Sequence, residues 1–201
     1  MTADAIIDTG LAAIQGNGWS GLGLRDVARQ LGVSLPAVQR HFPTKDHLWR
    51  ACVDRLAAER LAAQEADRPT GTPTDQLLAV LRAQFERSGL DRGLTTAMLH
   101  DRSDGAEARL DYLCRAVQPA LGSGRRRLRA AVDAGVMRPV DVDIVLALLG
   151  IGLSSLANAG PALDRLLGID LSDAAERERF AATLADILMY GLCGPAPESQ
   201  S

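Results

Sequence analysis

Leu24-Arg25-Asp26-Val27-Ala28-Arg29-Gln30-Leu31-Gly32-Val33-Ser34-Leu35-Pro36-Ala37-Val38-Gln39-Arg40-His41-Phe42 holds two short helical periods joined across a glycine. Leu24, Val27, Ala28 and Leu31 recur at helical spacing, and Gly32 follows them where a helix end takes a positive φ. Ser34 is placed to cap the second helix. Leu35 and Pro36 fall in its first turn, where a missing N–H costs nothing, and Val38 and Phe42 lie four apart on its buried side. The small Ala28 at the crossing and the glycine in the turn are what two helices need to meet steeply, so the spacing predicts a helix-turn-helix over about 24–42. With Val38 and Phe42 inward, Ala37, Gln39, Arg40 and His41 point to solvent. Arg40 can fork onto guanine O6 and N7, Gln39 can pair with adenine, and Ala37 can meet a thymine methyl.

Upstream, a helix starting near Thr2 carries Ile7, Leu11 and Ile14 on one face and is expected to stop at Gly16-Asn17-Gly18, with Trp19 plugging the core beside it. Downstream, Pro43 ends the reader, Thr44 caps a fourth helix with Asp46 near its positive end, and Leu48, Cys52, Leu56 and Leu61 carry that helix past residue 60. The helix starts at Leu24-Arg25 and Thr44-Lys45 direct N–H groups and positive charge outward, which suits phosphates. The predicted DNA contacts are Arg25, Ser34, Leu35, Pro36, Ala37, Gln39, Arg40, His41 and Lys45. Asp67-Arg-Pro-Thr-Gly-Thr-Pro-Thr74 is the clearest break in the chain.

Beyond it, helical periodicity returns at 77–85, 94–100, 106–117 and 121–134, with Pro119 and Gly122 as a kink or joint. Gly135-Val136-Met137-Arg138-Pro139 is a stop, Asp141 or Asp143 starts a helix through Ala157, Gly160-Pro161 is read as loop before a short helix, and Ser172 is read as the cap of a last helix. The run from Ile144 to Ala159 is apolar on nearly every side, so one face needs a partner. A second copy related by a two-fold axis supplies it, and the expected interface is Leu146, Leu149, Gly150, Leu153, Phe180, Leu184, Ile187 and Leu188, with Leu171 beside them.

Composition supports this frame. Ala and Leu make 62 of 201 residues against 27 for Val, Ile and Thr, which predicts an all-α fold. Three cysteines, Cys52, Cys114 and Cys193, show no CxxC spacing, so neither a disulfide framework nor a zinc site is expected, and the compartment is reducing. No apolar leader or membrane span is read, and the expected location is the cytoplasm. The net charge of −3 speaks against a nucleic-acid partner until it is divided: residues 1–60 hold seven cations and six acids, leaving a net −4 for the rest. Lys45 is the single lysine. His41 and His47 share no helix face, His100 with Asp101 and Asp104 reads as a polar helix end, and Arg125-Arg126-Arg127 with Arg129 reads as a solvated face. No metal, cofactor or catalytic grouping is expected, and the chain is read as no enzyme.

Gly18-Trp19-Ser20-Gly21-Leu22-Gly23, the opening stretch, and Pro43-Thr44-Lys45-Asp46-His47-Leu48 together resemble, without a gap, the N-terminal signature of the TetR family of bacterial transcriptional regulators. Arg92-Gly93-Leu94 and Ala134-Gly135-Val136-Met137-Arg138-Pro139-Val140-Asp141 are similar to the SbtR-like C-terminal subgroup. The resemblance implies a reading head (1–48), a connecting helix (49–66), a larger helical ligand-binding and dimerisation domain (75–194) and a tail (195–201). It implies double-stranded DNA, a second copy of the chain and a small-molecule effector as partners, and the expectation is a repressor on a pseudo-palindromic operator. Phe85, Met98, Leu99, Tyr112 and Leu113 are the candidate pocket residues. The chain departs from the family where Gly23 replaces a capping threonine, Gln39 a tyrosine, Pro36 a glycine and Leu35 a polar residue. A protein-binding regulator with a degenerate head is the alternative these departures leave open.

Overall fold

A computed structural model describes residues 2–66, 101–152, 155–156 and 159–193. The break at 67–74, the periodic stretches 77–85 and 94–100, the pocket candidates Phe85, Met98 and Leu99, His100, the Arg92-Gly93-Leu94 similarity, Leu153 and the tail lie outside the described residues. Among those described there is helix and turn but no strand, so the all-α expectation holds. They divide between two compact units, one taking those within 1–63 and 90–120, the other those within 64–89 and 121–201.

The first unit begins with α1, Ala3–Gly21, capped by the Thr2 hydroxyl, which accepts from the Ala5 N–H at 3.3 Å. Its inward face holds the predicted Leu11 and Ile14, with Ile7 partly buried against the same core, and adds the fully buried Ile6. The expected stop at Gly16–Gly18 is also corrected. The helical stretch continues to Gly21, and Gly18 takes its left-handed φ of +59° within it, so the glycine bends the chain without ending the element. Gly10 has a packing reason: an added Cβ would stand 2.9 Å from Cys52 Sγ and 3.4 Å from Leu22 Cδ1.

α2 (Leu24–Gln30), α3 (Leu35–Gln39) and α4 (Lys45–Ala66) follow. Thr44 caps α4 as expected, its hydroxyl accepting from the His47 N–H at 3.3 Å while also meeting His47 Nδ1 at 2.7 Å. The helix α5 (Ala106–Asp133) gives this unit its first half. The core joins Ile6, Ile14, Leu22, Val27, Val38, Phe42, Leu48, Trp49, Cys52, Val53 and Leu56 to Leu113. Burial pushes the Cys52 thiol up to about 12, more than the nearby Arg55 lowers it, so it behaves as a small apolar side chain.

The second unit takes the rest of α5, then α6 (Val142–Ala147), a π-helical turn (Leu148–Gly152), α7 (Gly160–Leu167) and α8 (Ala174–Cys193). Pro119 and Gly122 do not break α5, which runs through both. Gly135, at φ +70°, stops it, and the Asp141 carboxylate caps α6 by accepting from the N–H groups of Asp143 and Ile144. The expected single helix through Ala157 changes after Ala147 into a π turn. Gly160 and Pro161 form the first turn of α7 rather than a loop, since proline is accommodated at a helix start. Ser172 does not cap α8. Its hydroxyl donates to Asp170 at 2.6 Å, and Asp173 takes the capping role by accepting from the Glu176 N–H at 2.9 Å.

Leu128, Met137, Val142, Val145, Leu149 and Leu192 form this core, with Leu146, Leu184 and Leu188 packed against it. Leu146 seats closely on Gly124, where an added Cβ would come within 3.1 Å of its Cδ2. Four of the predicted interface leucines, Leu146, Leu149, Leu184 and Leu188, thus serve their own chain's core. Of the predicted set Ile187 is exposed, at 62%, and it shares exposure with Ile144, Leu148, Ile151 and Tyr190. Arg125, from the basic run on α5, pairs with Asp143 at 2.6 Å.

Candidate nucleic-acid interface

The turn between α2 and α3 is built by Gly32, whose φ of +65° places it in the left-handed region that glycine enters without steric cost. Its N–H donates to the Arg29 carbonyl at 3.2 Å, and the Val33 N–H donates to the Ala28 carbonyl at 3.0 Å, which satisfies the last carbonyls of α2. Val27 and Ala28 are buried beneath the turn. Val38 on α3 is fully buried and Phe42, three residues past its end, nearly so; the helix stops at Gln39 rather than at Pro43, and the N–H groups of His41 and Phe42 in the turn that follows both donate to the Val38 carbonyl.

That packing determines the free face. Ser34, Pro36, Gln39, Arg40 and His41 are exposed, Leu35 and Ala37 are half-buried, and Arg25 on α2 is exposed. Ser34 stands at the N-cap of α3, but its side chain makes no capping bond, contrary to expectation. The Ala37 and Val38 N–H groups donate instead to the Ser34 backbone carbonyl at 3.0 and 3.4 Å. Gly23 likewise caps α2 without a side chain, and the Asp26 carboxylate fills the space, 2.6 Å from where a Cβ would stand. Asp26 also pairs with Arg29 at 2.6 Å on the exposed side of α2, an i,i+3 bridge of small energetic weight.

Lys45 opens α4 and is half-buried, with its ammonium 4.2 Å from the centroid of the Trp19 ring. Burial lowers its pKa first and the charge of Arg109 next, against a smaller opposing effect from Asp101. Arg109 itself stands 4.0 Å over the same ring. Trp19 meets Trp49 edge-on at 6.1 Å, and Trp49 meets Tyr112 at 5.9 Å. The Tyr112 hydroxyl donates to the Asp54 carboxylate at 2.8 Å. Tyr112 and Leu113, two of the pocket candidates, therefore pack in the first unit beside the reading helices, Leu113 being fully buried in its core. This aromatic and cationic layer was not anticipated. Its members lie far apart in sequence, Tyr112 and Asp54 by 58 residues, and no local spacing announces them.

No group of three or more His, Cys, Asp or Glu side chains among the described residues is arranged to hold a metal ion. No helix among them is long and apolar enough to cross a membrane.

Residues 6–52 match the model of the bacterial regulatory proteins of the tetR family. The HTH-type transcriptional regulatory protein RaaS of Mycobacterium tuberculosis is 32% identical over 146 residues, covering 67% of this chain and 69% of RaaS. The chain belongs to the TetR family. It is accordingly a DNA-binding transcriptional regulator and not an enzyme. Solved structures of transcriptional regulators share the fold. The transcriptional regulator FadR from Bacillus subtilis, solved in complex with stearoyl-CoA, superposes with a TM-score of 0.72 at 17% identity, covering 94% of this chain and 99% of FadR. The fatty acid degradation regulator FadR from Bacillus halodurans gives 0.73 at 14% identity, covering 94% and 95%.

Proposed function

We propose that this TetR-family regulator is a cytoplasmic, homodimeric repressor released from DNA by a small-molecule effector. The observation that carries the reading is the exposed face of α3 and of the turn that ends it, where Gln39, Arg40 and His41 stand clear of the core while Val38 and Phe42 anchor the segment from behind. In each subunit α3 enters a major groove. Arg40 and Gln39 read base edges, Ala37 and Leu35 make apolar base contacts, and Arg25, Ser34, Pro36, His41 and Lys45 line the flanking backbone.

One head makes few phosphate contacts, so useful affinity requires two. A second copy covers Ile144, Leu148, Ile187 and Tyr190, and the two readers meet half-sites of a pseudo-palindrome about 34–36 Å apart. An effector that binds better to a body conformation with another spacing weakens DNA binding by linkage. The domain plan that accompanies this reading is a head over residues 1–48, a connecting helix over 49–66 and an effector and dimer domain over 75–194.

The test is band retardation of the labelled intergenic fragment upstream of the coding region, run at several salt concentrations, together with light scattering of the free protein. A dimer that retards the fragment with steep salt dependence is expected. A monomer at micromolar concentration, or no retardation, overturns the reading, and the second outcome turns attention to a protein partner for the head.

A further inference from the structure

Lys45, Trp19 and the segment from Asp101 to Arg109 meet in the first unit, and the two cations over the Trp19 ring are held very differently. Arg109 is 7% exposed. Its Nε donates to Asp101 Oδ2 at 2.8 Å, its Nη2 to Ser103 Oγ at 2.6 Å and its Nη1 to the Asp104 carbonyl at 3.0 Å. Asp101 is held in turn by the Ser103 N–H at 3.0 Å and hydroxyl at 2.6 Å, and its side chain is 9% exposed. Arg109 is thus fixed on several sides by a nearly buried ion pair. Lys45 forms no salt bridge among the described residues, and its ammonium has the ring face as its partner. It is the first residue of α4, next to the Thr44 cap and close in sequence to the reader helix, on the part of the head assigned to phosphate.

We propose that the Trp19 ring is a holding site for the Lys45 ammonium, whose strength is set by the Arg109–Asp101 pair, so that the 101–109 segment adjusts the phosphate-binding charge of the head. This rests on the DNA-reading role of the head. A ring face attracts a cation through its quadrupole, and a phosphate attracts the same cation more strongly while releasing counterions from the DNA. Lys45 therefore chooses between ring and phosphate. Arg109 repels it from the ring, and Asp101 moderates that repulsion. Arg109, Asp101 and Trp19 are positioning residues here, acting on DNA through Lys45.

The experiment titrates the full chain onto a mixed-sequence duplex of about 30 base pairs over a salt series, long enough for several phosphate contacts per head. Trp19→Leu and Asp101→Asn are measured alone and combined with Lys45→Ala. Each single variant should bind about threefold tighter, because Lys45 is released from the ring. Adding Lys45→Ala should erase that gain and reduce the salt slope by about one.

A gain that persists in the Lys45→Ala background reports only a changed overall charge and overturns the proposal. So does a Lys45→Ala chain that binds like wild type with an unchanged slope, an outcome that leaves DNA reading by the head intact. Absence of any duplex binding by wild type instead removes the DNA-reading role itself. If thermal melts show that Trp19→Leu or Asp101→Asn does not fold, Trp19→Phe keeps a packed ring with a weaker face and should give a smaller gain of the same sign, whereas no gain or a loss overturns the proposal.

Discussion

Among the described residues of α1 to α4 no large apolar side chain is exposed, whereas α6, the π turn, α7 and α8 leave Ile144, Leu148, Ile151, Leu166, Leu167, Ile187 and Tyr190 open to solvent. The reading helices close their core on Trp49, Leu48 and Val38 and present polar and charged groups outward. The second unit buries Leu149, Val145 and Leu128 and still has apolar surface left over. A surplus of that kind is what an association surface presents, while the outward groups of α1 to α4 are polar and charged, as a polyanion partner requires. The proposed function accordingly places DNA contact on the first unit and self-association on the second.

The difference is broken most severely by a charge on the open apolar face. Leu148→Glu should convert the protein to a species with the mass of one chain, 21.3 kDa, by light scattering, and lower affinity for a two-half-site operator more than a hundredfold, about 3 to 5 kcal/mol. Because Leu148 is half-exposed in the single chain, the helical circular dichroism signal of the folded chain should change little. A variant that stays dimeric removes this face from the interface. Next in size, Leu48→Ala empties a fully buried site in the first unit and should cost about 3 kcal/mol in denaturant unfolding, with the dimer mass unchanged at low denaturant. Loss of dimerisation alongside it would show that the two units are not independent in this respect.

Local spacing made the reader legible. Gly32, Val38 and Phe42 lie within one short segment, and each has a single steric or packing reason for its place. The same logic decides less where a helix is apolar on more than one face. On α1 the spacing finds Ile7, Leu11 and Ile14, all in or against the core, but leaves out Ile6, the residue most completely buried there. Leu146 and Leu149 turn inward with Val142 and Val145, and Leu148 outward with Ile144, a division that a run apolar on nearly every side does not reveal. Caps were legible in kind but not always in identity. Thr44 and Asp141 serve as expected, while Asp173 replaces Ser172 because the Ser172 hydroxyl is taken by Asp170. The cations on Trp19 and the Tyr112 bond to Asp54 join residues brought together only by tertiary packing, and no motif encodes them.

On the first unit's free face the effects should be smaller and selective. Arg40→Ala should cost about 1 to 3 kcal/mol on specific DNA and relax preference at one base pair, with little change on random duplex. Equal losses on both would make Arg40 a backbone contact. The exposed guanidinium contributes little to folding, so the melting temperature should stay close to wild type.

Ser34→Ala is the smallest and the most discriminating test. A capping serine normally contributes about 1 kcal/mol by bonding an N–H of the first turn, and its loss shows in thermal stability. Ser34 makes no such bond, since the Ala37 and Val38 N–H groups are served by its backbone carbonyl, which alanine retains. Melting should therefore be nearly unchanged. The exposed hydroxyl is left with its full bonding capacity at the start of the reader helix, where a DNA phosphate can accept from it. A loss of about 0.5 to 1.5 kcal/mol in binding with melting unchanged, felt alike on specific and random duplex, would assign that hydroxyl to the backbone. A drop in melting temperature of the size expected for a lost cap would instead return Ser34 to the folding role its position first suggests.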